Sequence, residues 1–141
     1  MEPTTKQSIT VEALVKASVE KVWKHWTTPE HIIQWNNASD DWHTPAAEND
    51  LREKGKFVFR MEAKDGSLGF DFSGIYDQVK PNELISYTLA DGRKVKITFE
   101  SQGNDTKLTE TFAAETENPI EMQRMGWQTI VNNFKKHVET H

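Results

Sequence analysis

Glu110 is the ionisable residue with the most chemical potential in this chain. In "KLTETFA", residues 107–113, Leu108 and Phe112 flank it at two-residue spacing, so a strand with those two inward would carry Glu110 inward as well. A carboxyl in an apolar chamber has its pKa raised by desolvation unless a cation or donors meet it, and such groups cluster at functional sites. The opposite phase, with Thr109 and Thr111 inward and Glu110 solvated, stays open at this stage. A second cluster, "SDDWHTP", sets Asp40, Asp41, Trp42 and His43 in a row. A histidine beside two carboxylates can serve general acid–base chemistry. The same residues can equally cap and turn the chain while Trp42 plugs the core. His137 and His141 have the i, i+4 spacing of a metal pair, but they stand at the terminus with no third ligand in view. No metal is expected there. The sequence has no Gly-rich phosphate loop, no nucleophile elbow and no cysteine to pair with a histidine. Support for an enzyme is therefore thin: no catalytic residue is assigned and no cofactor is expected.

The elements that must position these groups belong to a chain of 141 residues, most economically a single domain over 1–141 that buries roughly two-thirds of its unfolded surface. Five tryptophans, seven phenylalanines and two tyrosines supply bulky material for a core or a pocket, although charged residues make up 28%. The net charge of -5, with no dense Lys/Arg cluster, argues against a phosphate-backbone-binding surface, so no nucleic acid partner is expected. Absence of cysteine rules out disulfides and thiolate chemistry. With no run of 18 apolar residues and no basic-then-apolar leader, neither stable membrane insertion nor export is expected, and a cytoplasmic protein is the default.

Met1 to Gln7 is polar and expected to fray. Ile9, Val11, Ala13 and Val15 then alternate with more polar neighbours, giving a first strand at about 8–17. Ser18 can cap a short helix with Val19, Val22, Trp23 and Trp26 on one stripe. Thr28 can cap a second, with Pro29 at its first position and Ile32, Ile33 or Trp35 buried. From Asn36 to Lys54 no periodicity persists and a long loop is expected. Five strands follow, centred on 57–62, 70–76, 85–89, 95–99 and 108–113. Their turn signals are Asp65-Gly66, Pro81-Asn82, Asp91-Gly92 and Gly103-Asn104-Asp105. A closing helix is expected to begin with Asn118 as cap and Pro119 at the first position. Its apolar stripe is Ile120, Trp127, Val131, Phe134 and Val138, bordered by Ile130. An antiparallel sheet covered on one face by a long helix is a two-layer α+β domain.

Gly126, in the middle of that helix, costs about 1 kcal/mol relative to alanine. Either it lets the backbone pass close to a bulky sheet residue or bends the helix modestly, with Met122 and Met125 filling gaps, or the helix stands off from the sheet and Gly126 borders a cavity covered by adaptable methionines. Phe57, Phe59, Met61, Phe70, Phe72, Tyr76, Tyr87, Leu89, Ile97 and Phe99 fall on the faces that alternation directs toward the helix. Singly each reads as core, but together they can line a hollow.

This order of elements resembles the helix-grip fold (START/Bet v-like) of the START-like (SRPBCC) superfamily. More closely, the stretches "VKASVEKVWKHWTTPEHIIQWN", "DLREKGKFVFRMEAKDG", "FSGIYDQVKPNELISYTLADGRKVKITFE" and "NPIEMQRMGWQTIVNNFKKHVE" are similar to the branch named after the activator of the heat-shock-protein-90 ATPase. Members often carry paired glycines before the second strand, where this chain has Lys54 and Gly55. The resemblance implies a six-stranded curved sheet, two short helices, a long C-terminal helix and a deep hydrophobic cavity. Across the superfamily that cavity holds lipids, sterols, polyketides and plant hormones. The leading expectation is a binding module for a small hydrophobic molecule such as a lipid, polyketide or flavonoid-like compound. Trp35, Trp42, Glu110, Met122, Gly126, Trp127 and Ile130 join the ten sheet residues above as its ligand-binding set. A cyclase- or hydrolase-type enzyme using Glu110 or His43, and a chaperone ATPase co-regulator, are the alternatives.

Overall fold

The computed structural model describes residues 8–37, 40–115 and 118–141; the segment 1–7, expected to fray, lies outside the described residues. Strand β1 (Ser8–Val15) buries Ile9, Val11 and Val15 as its alternation requires. Ser18 caps α1 (Val19–Thr27), its hydroxyl accepting from the amide of Lys21. Pro29 opens α2 (Pro29–Trp35) with a preset φ. Thr28 stands extended before it, but its side chain makes no capping bond. Ile32 and Trp35 turn inward while Ile33 stays exposed.

The expected loop after α2 contains a strand, β2 (Trp42–Asn49), so the sheet has seven strands rather than six. Local propensity concealed it, because Pro45, Ala46, Ala47 and Glu48 are poor strand formers. Pairing supplies what propensity lacks: β2 lies along β3 (Lys56–Ala63), with a register shift between His43 and Ala46 that accommodates Pro45 on an edge strand. Two side chains tie it to the helices, the Thr44 hydroxyl donating to the Asn36 carbonyl and the Asn49 amide to the Thr27 carbonyl at 2.7 Å.

From β3 the chain runs as an antiparallel meander through β4 (Gly69–Lys80), β5 (Leu84–Leu89), β6 (Lys94–Gln102) and β7 (Asp105–Ala113). Strand β1 pairs with β7, giving the order β1-β7-β6-β5-β4-β3-β2. The hairpin signals hold, with Gly66, Gly92 and Gly103 at positive φ. Lys54 also lies at positive φ, 68°, a conformation that disfavours a side chain and suits glycine.

The long helix α3 (Ile120–Thr140) starts one residue later than expected, with Pro119 rather than Asn118 at the cap. Asn118 is occupied elsewhere, its backbone and side-chain amides donating to the Glu115 carboxylate at 2.6 and 3.0 Å. Gln123, in the first turn, reaches back instead: its amide donates to the carbonyls of Glu115 and Asn118 at 3.1 and 2.8 Å, and its oxygen accepts from the Glu115 amide. That network explains why a glutamine is buried there. Val131, Phe134 and Val138 are fully buried against the sheet and the short helices. Among the described residues no helix is long and apolar enough to cross a membrane.

Candidate functional site

A cavity of about 400 Å³ lies between the concave face of the sheet and the first half of α3. Its floor comes from Phe59 and Met61 of β3, Phe70, Phe72 and Tyr76 of β4, Ile85 and Tyr87 of β5, and Glu110 of β7. Trp26, Trp35 and Asn36 close one end, and Met122, Gln123, Gly126, Trp127 and Ile130 form the helical wall. Glu115, Asn118 and Arg93 stand at the polar side. Trp127 anchors that wall by stacking on Phe112, ring centroids 3.8 Å apart, with its edge toward Phe72.

Gly126 has no close neighbour across this gap. A side-chain carbon built on it would find nothing within 4 Å, so the tight-passage reading of this glycine falls and the stand-off reading accords with the geometry. Met122 and Met125 are 59% and 67% exposed, and Met122 borders the opening.

Pairing on both sides decides the phase of β7. Glu110 lies opposite Val11 of β1 and Ile97 of β6, between Leu108 and Phe112, and is 3% exposed. Burial raises its carboxyl to about 8, so at neutral pH it is mostly protonated and can donate a hydrogen bond. Tyr87 is pushed up chiefly by burial and further by the neighbouring Glu110 carboxyl. Burial likewise raises Tyr76, whose hydroxyl donates to the Asn49 side-chain oxygen. The cation at the opening, Arg93, is paired with Asp91 at 2.7 Å and donates to the Ala113 carbonyl at 3.4 Å. The chamber therefore combines aromatic walls with a buried, largely neutral acid and a phenol.

Twelve of the residues expected from sequence line this space: Trp35, Phe59, Met61, Phe70, Phe72, Tyr76, Tyr87, Glu110, Met122, Gly126, Trp127 and Ile130. Five do not. Phe57 is buried behind the rings of Phe59, Tyr76 and Tyr87, at 5.0, 5.3 and 4.7 Å. Phe99 is covered by Trp23 and Trp26 of α1, and Ile97 and Leu89 belong to the packed core. Trp42 sits on the edge strand with its ring 6.0 Å from Phe70, outside the lining. His43, on the same edge strand opposite Glu62, is also outside it. Trp26 and Ile85 also line the space, and each lies on an apolar face that the sequence predicts. Arg93, Glu115, Asn118 and Gln123 carry no local signal, since turns and the helix cap bring them to the rim.

Comparison with known proteins agrees with this architecture. The family model for activator of Hsp90 ATPase homolog 1-like proteins matches residues 16–139. The solution structure of an AHSA1-like protein from Aeromonas hydrophila is 42% identical, with 95% of this chain and 93% of that one covered and a TM-score of 0.89. That of Chr148 from Cytophaga hutchinsonii is 54% identical over 94% and 92% of the two chains, with a TM-score of 0.83. An Aha1 dimer from Colwellia psychrerythraea, 18% identical over 94% and 96%, shares the fold at a TM-score of 0.76. No curated protein matches the chain. With a family model spanning most of its length and close structural likeness at 42% and 54% identity, the chain belongs to the family of activator of Hsp90 ATPase homolog 1-like proteins, within the START-like, helix-grip superfamily.

Proposed function

We propose that the chain binds a small, largely apolar molecule, lipid, polyketide or flavonoid-like, in the cavity under the first half of α3, as a cytoplasmic binding module. The observation that carries this reading is the combination of a space of about 400 Å³ walled by aromatics with one buried carboxyl at its floor. That volume falls within the range of small-molecule pockets, and a few placed polar groups among apolar walls are what orient such ligands. Glu110, protonated at neutral pH, donates to a carbonyl or hydroxyl of the guest, with the Tyr87 phenol beside it. Burying roughly 300 Å² of apolar ligand surface at about 25 cal/mol/Å² contributes some 7 kcal/mol before association costs, so the apolar walls supply the driving force and the placed polar groups must add to it.

Native mass spectrometry of freshly expressed protein, followed by solvent extraction, tests it. A co-purifying apolar compound that is lost on Gly126→Phe, a substitution that fills the space, is the expected result. A ligand-free protein that takes up no member of a lipid, polyketide and flavonoid panel would reject the reading.

A second reading keeps Glu110 as a general acid–base group, because a carboxyl titrating near 8 is poised for proton transfer at physiological pH. His43 drops out of it, lying outside the cavity lining. Turnover that survives Glu110→Gln would dismiss this enzyme.

A further inference from the structure

We propose that His25, His31 and His137 form a three-imidazole binding site for a divalent transition cation of the zinc class, where α1, α2 and α3 converge. One ring nitrogen from each of the three lies within 4.8 Å of the others. His31 Nδ1 and His137 Nε2 are 3.0 Å apart, and the His25 ring packs 3.9 Å from that of His31. Tetrahedral zinc with Zn–N of about 2.0–2.1 Å needs nitrogens roughly 3.4 Å apart, so small ring rotations convert the cluster into a chelate.

Local chemistry prepares the rings. A carbonyl can only accept, so His25 Nδ1 must donate to the Lys21 carbonyl, 2.9 Å away, leaving Nε2 with its lone pair. A backbone carbonyl on the far nitrogen is the outer-shell partner that metal-bound histidines ordinarily have. Between His31 and His137 one nitrogen must carry the proton that the other accepts, and a cation would take that proton's place. His25 and His137 are 6% and 7% exposed, so their rings are held in place by the packing around them. Half-buried His31 leaves a side open for water as fourth ligand. Imidazole-only sites suit zinc, copper and nickel rather than magnesium or calcium. Lys21 and Lys24, whose charges act on His25, oppose a dication.

The site is separate from the cavity yet joined to its wall. The Trp35 indole donates to the His25 carbonyl at 3.1 Å, and Phe134 packs edge-on against Trp26 and Trp35 at 4.8 and 4.9 Å. A metal tying the three helices would stiffen that end of the chamber.

The test uses tag-free, chelator-stripped full chain titrated with Zn²⁺ by calorimetry, alongside long-range ¹H–¹⁵N spectra of the imidazoles. Expected are one zinc per chain, shifts of His25, His31 and His137 but not His43, a melting temperature raised by several degrees, and at least a tenfold loss of affinity in His31→Ala with the parent's circular dichroism retained. The spectra judge the native protein even if a variant misfolds. No saturable binding, one-equivalent binding that His31→Ala leaves intact, or shifts confined to other histidines would overturn the proposal.

Discussion

The two halves of α3 meet one curved sheet in different ways. In the second half Val131, Phe134 and Val138 are fully buried, and Phe134 sits edge-on to the stacked pair Trp26 and Trp35. In the first half Gly126 faces open space, Met122 and Met125 are exposed, and Gln123 is buried by hydrogen bonds to the preceding loop rather than by packing. Trp127 bridges the two through its stack on Phe112. One half therefore supplies stability and the other leaves room, a division that a single amphipathic stripe would not suggest.

The comparison breaks most readily at Phe134. Truncation to alanine removes a fully buried ring and is expected to cost about 3–5 kcal/mol in denaturant unfolding. A cost near 1 kcal/mol would mean that the second half is loosely packed too. Next is Glu110→Gln, read as stability against pH. In the folded chain Glu110 keeps its proton up to about 8, against 4.5 when free, so its contribution is fully present below pH 4.5 and is lost as pH rises through 8. His25 and His137, lowered from 6.5, act in the opposite direction only below that value. Between pH 6.5 and 8 the parent should lose up to ~1.4 kcal/mol per pH unit while Glu110→Gln stays level. Parallel profiles would place the carboxyl in water.

Smaller effects sharpen the picture in the first half. Gly126→Ala meets no neighbour, so the helix-propensity gain of about 0.5–1 kcal/mol should appear as stabilisation, at the expense of cavity space. Destabilisation by thermal melting would restore the tight-passage reading. Met122→Ala and Met125→Ala should each fall within about 0.5 kcal/mol of the parent, as exposed positions do.

Much of this fold is legible because alternation in β3 to β7 and the turn residues between them agree with the final pairing. Strand β2 is not, since Pro45 and its alanines form a strand only when the free edge of β3 and the carbonyls of Asn36 and Thr27 accept them. For the cavity, alternation reports which face a residue occupies, not how far it lies from the covering helix. That is why alternation alone puts Phe99, which lies under α1, and Ile97, which belongs to the packed core, beside Tyr87 and Glu110. The inward phase of Glu110 was half visible and needed the register with both β1 and β6. No local pattern announces the histidine cluster, because His25 and His31 come from helices at the other end of the chain from His137, which the sequence pairs by spacing with His141 alone.

The most direct measurement is a ¹H–¹⁵N titration with flavone and a medium-chain fatty acid, comparing the parent with Gly126→Phe. A cavity held open under the first half of α3 predicts saturable shifts at Tyr87, Glu110, Gly126 and the indoles of Trp35 and Trp127, little at Val138, and loss of the response in the variant. Shifts absent for both probes, or identical in parent and variant, would contradict it.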